Sequence, residues 1–167
     1  GWDFVVLQEQ SRAPSLASEQ VCREVYPAAR ALDSLRRLSN PQAKTVFYMT
    51  WGRRDGDTER CASDPEICTY AGMQARLRKS YLEMAVANGA WCAPVGVAWK
   101  RVREERPDIE LYQPDKSHPS LAGSYLGASV FYTLLYGEPL VSAYTAGLDP
   151  EVARYLQRTA AETVLSN

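Results

Sequence analysis

The sequence predicts an α/β fold, a parallel sheet flanked by helices, and three observations carry that expectation. Short runs rich in β-forming residues alternate along the chain with longer stretches of helical periodicity, the order that lays strands side by side with helices crossing over them. The runs Phe4-Val5-Val6-Leu7 and Thr45-Val46-Phe47-Tyr48-Met49-Thr50 both lead into polar or small residues, as strands do at the sheet edge where open α/β folds collect their ligands. No internal repeat, low-complexity tract or linker interrupts the 167 residues, so residues 1–167 read as one domain.

Phe4 to Leu7 is apolar throughout, which predicts a strand buried on both faces. Gln8, Glu9, Gln10, Ser11 and Arg12 then fall at its carboxyl end. After Ala13-Pro14-Ser15, apolar residues recur at Val21, Val25, Ala28, Ala29, Leu32, Leu35 and Leu38 with helical spacing. Pro27 interrupts that pattern and predicts a kink or a split into two helices. Ser39-Asn40-Pro41 stops the helix, and the strand at Thr45–Thr50 delivers Trp51, Gly52 and Arg53 to the same edge as Gln8. Trp51 there is either the wall of a substrate cleft or a lid over the core, and Gly52 lets backbone pass close by. Residues 55–68 are polar, an excursion of a length that compact domains keep for lids and binding loops.

A helix is expected from Tyr70 to Asn88, with Met73, Leu77, Tyr81, Met84 and Ala85 on one stripe and Gly89 as its stop. The methionines read as core filling. Ala90 to Val95 is a short strand, and Gly96 to Arg106 a helix ending before Pro107. Ile109 to Tyr112 leads into a loop, followed by a helix from Pro119 to about Tyr136 with Ser117 or His118 as its N-cap. Its small residues Ala122, Gly123, Gly127, Ala128 and Ser129 permit close approach to the sheet. Asp149 caps a last helix that runs to Leu165.

Hydrophobic residues make up 46% of the chain and charged residues 23%, with a net charge of −1, so neither nucleic acid nor an anionic membrane surface is an expected partner. No apolar run approaches the roughly 18 residues of a membrane span, and Gly1-Trp2-Asp3 does not read as a signal peptide. Cys61 and Cys68 flank six residues of the polar excursion, a separation that a disulfide could close. Such a bridge would pin the loop and imply an oxidising compartment, a secreted or periplasmic one. Cys22 reads as a helix residue and Cys92 as a strand residue. Neither has metal-ligand spacing, so no metal is expected. No cofactor is expected either, because no glycine-rich phosphate loop follows any strand.

The functional signal lies in Tyr112-Gln113-Pro114-Asp115-Lys116-Ser117-His118-Pro119-Ser120, which holds the only histidine in the chain. Imidazole acid/base chemistry at neutral pH must therefore use His118. Asp115, three residues earlier, can turn a carboxylate back onto one ring nitrogen while the other points outward, the orienting pair of a hydrolytic triad. The other reading of the same residues is a solvated turn with a capping histidine.

The run Asp115-Lys116-Ser117-His118-Pro119-Ser120-Leu121-Ala122-Gly123-Ser124-Tyr125-Leu126 resembles the last conserved block of the SGNH/GDSL hydrolases. Trp2-Asp3-Phe4-Val5-Val6-Leu7-Gln8-Glu9-Gln10-Ser11 is similar to a strand and catalytic-edge loop in a branch of that superfamily long labelled only as a domain of unknown function. This resemblance spans nearly the whole chain. It implies a flavodoxin-like three-layer fold and a serine esterase or acyl hydrolase acting on a small ester such as an acylated carbohydrate, with His118 as general base then acid and Asp115 orienting it.

The family's nucleophile sits in a Gly-Asp-Ser or Gly-Asn-Ser motif, and nothing in this chain matches it. Two βα units normally precede the strand that here starts at Phe4, so the resemblance implies that N-terminal strands are missing. An open sheet edge would follow, covered by dimerisation or by association with the missing N-terminal piece. Ser11 follows an apolar strand and is the in-chain candidate nucleophile, against its reading as a loop serine bonding local backbone. Where members carry an asparagine as oxyanion donor, this chain has Gln8-Glu9-Gln10, so Gln8 and Gln10 are candidates one methylene longer. A second function class stays open, a non-catalytic carbohydrate-binding or interaction domain of the same fold, with Trp51, Trp99 and the tyrosines as stacking surfaces.

Overall fold

A computed structural model describes residues 1–166. It contains a three-stranded parallel sheet in the order β1-β2-β3, formed by Phe4–Leu7, Lys44–Tyr48 and Trp91–Ala93. Helices α1 (Ser18–Glu24) and α2 (Tyr26–Ser39) connect β1 to β2, α3 (Tyr70–Asn88) precedes β3, and α4 (Val95–Glu105), α5 (Leu121–Tyr136) and α6 (Pro150–Leu165) complete the chain. Two compact units result, residues 1–92 and, as far as the described residues go, 93–166.

In the first unit β1 and β2 run parallel with Phe4 opposite Lys44 and Leu7 opposite Phe47. Val46, Phe47 and Met49 of the β2 segment pack with Val21, Ile67, Met73, Leu77, Tyr81 and Met84 in its core. The helical pattern after residue 17 splits at Val25, with Pro27 in the first turn of α2, where its missing N–H costs nothing. The apolar run Phe4–Leu7 predicts a strand buried on both faces, and the structure differs. β1 is not buried on both faces: it ends the strand order, its residues are half-buried, and Val6 is 45% exposed. Among the described residues no strand pairs with its second side, and a groove of about 420 Å³ lined by Trp2, Val5, Leu7, Leu32 and Leu35 runs beside it. Four apolar residues in a row look alike whether the strand is central or at an edge.

A buried ionic knot ties α2 to β2. Asp33, 3% exposed, accepts bonds from Thr45 Oγ1 at 2.6 Å, Arg36 Nη2 at 2.7 Å and Arg37 Nε at 2.6 Å. Burial by itself pushes its pKa up, but the bonds from Thr45, Arg37 and Arg36 outweigh it and bring the carboxyl down to about 2. Asp33→Ala strands the Arg36 guanidinium in a nearly closed site and is expected to lower the unfolding free energy by about 3 kcal/mol at neutral pH. Because the folded value is depressed, that contribution is complete above the ordinary carboxylate range and disappears as pH falls through about 2. Denaturation curves of the two proteins should therefore converge in acid.

The second unit packs α4, α5 and α6 around Trp99, Val102, Leu111, Leu126, Val130, Leu156 and Ala160. Asp149 Oδ1 accepts from the Glu151 and Val152 amides, capping α6 with Pro150 in its first turn. Helix α5 starts two residues later than expected and is capped by Ser120, whose Oγ accepts from the Gly123 N–H. Ser117 and His118 are not its cap, because Pro119 is held extended in a bridge with Tyr112 and the helix cannot begin until the chain leaves it. Among the described residues no helix is long and apolar enough to cross a membrane.

Candidate functional site

The loop from Tyr112 to Ser120 is closed from both ends. Gln113 N donates to the His118 carbonyl at 2.9 Å, and Ser120 N donates to that of Leu111 at 2.8 Å. Ser120 Oγ adds a bond to the Glu110 carbonyl at 2.7 Å. Beneath the loop Tyr112 packs edge-on against Trp99, ring centroids 5.2 Å apart, and its hydroxyl accepts from Arg103 Nη1 at 2.9 Å. Gly123 is where α5 passes this floor. A Cβ there would sit 2.4 Å from both the Leu111 carbonyl oxygen and the Trp99 ring. Gly123→Ala is expected to destabilise the unit by about 2 kcal/mol through overpacking, readable as a lowered Tm.

Within this frame Asp115 organises the turn. Its Oδ1 accepts from the backbone N–H groups of Ser117 and His118, both at 2.9 Å, while Oδ2 lies 2.6 Å from His118 Nδ1. The bond to His118, followed by those two amides, holds the Asp115 carboxyl down at about 2. A carboxylate accepts only, so Nδ1 must carry the hydrogen of the neutral imidazole, leaving Nε2 as the basic nitrogen. The His118 side chain is 74% exposed. That arrangement can take a proton from a hydroxyl and return it to a leaving group.

The other candidates lie in the first unit. Gln8, Glu9 and Gln10 follow β1 directly and are exposed. Gln10 Oε1 accepts from Arg12 N at 3.1 Å, which leaves its Nε2 as the donor end of the carboxamide. Gln8 borders a small cavity of about 60 Å³ whose apolar lining includes Leu7, Val25, Ala29, Phe47 and Met84. Ser11 sits half-buried in the turn before the short 3-10 helix Ala13–Ser15. Residues 1–92 contain no histidine, so Ser11 has no imidazole within its own unit.

Trp51 is 8% exposed and stacks obliquely on Tyr48, so most of its surface belongs to the core. Gly52 passes α3 where a Cβ would lie 3.2 Å from the Tyr70 ring, the close approach expected of it. Arg53 Nη1 is 3.6 Å from Asp57, a fully buried carboxylate that also takes Arg12 Nε at 2.8 Å. Cys61 and Cys68 are joined in a disulfide, with Cα atoms 5.1 Å apart. Cys22 is exposed on α1, and burial in β3 pushes the Cys92 thiol up to about 12, where it stays protonated. Among the described residues no cluster of His, Cys, Asp or Glu is composed to hold a metal ion.

Two contacts that hold the candidate loops escaped the sequence. Tyr81 and Gln74 of α3 bind backbone groups of the loops after β1 and β2. The signal was a tyrosine placed in a Met/Leu stripe, since a buried phenol needs a partner for its hydroxyl.

No protein-family model matches the sequence, nor does any curated protein. The fold is similar to that of a DUF4886 family protein from Bacteroides uniformis, with a TM-score of 0.76 and 17% identity over 98% of this chain and 62% of that one. It is also similar to a "putative SGNH hydrolase" from Slackia heliotrinireducens, with a TM-score of 0.59 and 31% identity over 76% of this chain and 62% of that one. The chain thus spans less than two thirds of the length of either protein.

Proposed function

The chain is related to the SGNH/GDSL-like superfamily, and on that premise we propose that it supplies the acid-base part of a serine hydrolase that cleaves a carboxylic ester, with an acylated carbohydrate as the substrate class. The observation that carries the reading is the 2.6 Å contact between His118 Nδ1 and an Asp115 carboxylate whose second oxygen is already fixed by two amides. A merely capping histidine needs no such partner.

In this reading a serine hydroxyl attacks the ester carbonyl as His118 Nε2 accepts its proton. The imidazolium, stabilised by Asp115, then protonates the departing alkoxide as the C–O bond breaks. Water repeats the sequence on the acyl-enzyme and regenerates the serine. The carboxamide of Gln8 or Gln10 donates to the tetrahedral oxyanion. The attacking serine belongs to polypeptide outside residues 1–167, with Ser11 as the in-chain alternative. Trp51, Gly52 and Arg53 are the candidates for substrate contact.

The reading is tested by treating the parent polypeptide with a fluorophosphonate and mapping the modified peptide. One serine should be phosphonylated, and His118→Gln should slow its labelling at least about 100-fold. Labelling at the same rate in both proteins would count against it.

A further inference from the structure

We propose that Gln74 and Tyr81 are positioning residues for the candidate site, two side chains on one face of α3 that fix the backbones of the loops after β1 and β2. The proposal rests on the hydrolase reading, in which Gln8 or Gln10 meets the oxyanion and Trp51–Arg53 borders the substrate.

Residues seven apart on a helix stand two turns apart on the same face. Gln74 is 3% exposed and Tyr81 1%. Met73, Leu77 and Met84 fill the core around them, and the same volume could be filled by apolar residues throughout. Instead two polar tips are buried, which is unfavourable unless each finds a partner. Both find theirs in loop backbone.

Tyr81 reaches across 72 residues to Glu9. Its hydroxyl accepts from Glu9 N at 3.2 Å and donates to Glu9 O at 3.1 Å, so one phenol holds both main-chain groups of the residue between the two candidate carboxamides. Gln74 Oε1 accepts from Gly52 N at 2.9 Å, and the adjacent Met73 sulfur accepts from Arg53 N at 3.3 Å. Gln74 Nε2 is buried and meets no acceptor among the described residues. An unsatisfied buried donor is a stability cost, so this side chain is not optimised for stability. What it does accomplish is to hold Gly52.

The geometry therefore assigns one rigid element, α3, the task of setting both loops relative to each other. A donor displaced from the developing oxyanion loses most of its effect on the transition state and little of its effect on substrate binding. Removal of the Tyr81 hold should accordingly lower kcat and leave KM nearly unchanged, whereas removal of the Gln74 hold, on the loop assigned to the substrate, should act chiefly on KM.

The test uses Tyr81→Phe, which deletes one oxygen, and Gln74→Leu, with Leu77→Met on the same buried helix face as control. In the parent polypeptide, kcat for p-nitrophenyl acetate should fall about 10- to 100-fold in Tyr81→Phe with KM within about twofold, and KM should rise at least about threefold in Gln74→Leu. Leu77→Met should turn over as the wild type does. Tm should change by no more than about 4 °C in Tyr81→Phe, and its acid limb of kcat/KM should stay in place, because His118 is untouched. In the 167-residue chain, the Glu9 amide should exchange at least about tenfold faster in Tyr81→Phe, and the Gly52 amide in Gln74→Leu. Wild-type turnover with kcat unchanged in Tyr81→Phe overturns the positioning proposal alone, as does Glu9 protection that survives the substitution. A wild type without turnover overturns the hydrolase reading, and the positioning proposal falls with it.

Discussion

His118→Ala in the parent polypeptide is expected to lower kcat for p-nitrophenyl acetate by about 10⁴-fold or more, with KM changed less than about threefold. The chain has one imidazole, its Nδ1 is engaged by Asp115, and its Nε2 is the nitrogen left to accept a serine proton. Without it the hydroxyl must ionise unaided near neutral pH, far below its own pKa. The ring is 74% exposed and contributes little to the core, so Tm should hardly move and the loss can be assigned to chemistry. Added imidazole should restore part of the rate, because an exposed ring leaves an accessible vacancy when removed. A variant that keeps more than a tenth of wild-type turnover would show that the base lies elsewhere.

Asp115→Asn should cost about 10³- to 10⁴-fold in kcat, and for a different reason. Asparagine Oδ1 can still accept from the Ser117 and His118 amides, so the turn survives. Its Nδ2, however, would face His118 Nδ1 as a donor, which drives the imidazole hydrogen to Nε2 and leaves no lone pair where the serine needs one. The pH dependence follows from the depressed carboxyl. Asp115 is ionised at every pH above about 2, so between about pH 4 and 9 its charge is constant and it contributes no limb to the kcat/KM profile. A wild-type profile with two acid limbs in that range would contradict the assignment. Asp115→Glu, which keeps the charge and moves it, should lose much less than Asp115→Asn if charge dominates, and about as much if placement does.

Much of the fold was legible from local pattern. Gly89 after Asn88, Asp149 before Pro150, and Pro27 within the helical run each mark a boundary by their own backbone chemistry, and the helices stop, start and split there. The Asp115/His118 pair was legible too, because the two residues are three apart and a single turn brings them together. Contacts that link distant residues leave no such trace. Asp33 finds Thr45 and Arg12 finds Asp57 only after the strands are laid down, and Tyr81 is separated from Glu9 by 72 residues. A tyrosine at helical spacing reads as core, which it is, and nothing nearby reveals where its hydroxyl goes. The start of α5 was misplaced for a related reason. Pro119 suits a first helical turn locally, but the bridge to Tyr112 holds it extended. The exposure of β1 was hidden because burial depends on neighbours, not on the strand's own residues.

The central claim is that Asp115 fixes the tautomer of His118 and leaves Nε2 as the base. Because the chain has a single histidine, nitrogen-15 NMR of the 167-residue protein at about pH 8, where an ordinary imidazole is neutral, reports that ring alone. The account predicts a hydrogen on Nδ1 and an unprotonated Nε2, with the preference lost or reversed in Asp115→Asn. A hydrogen on Nε2 in the wild type, or the same tautomer balance in both proteins, would contradict it.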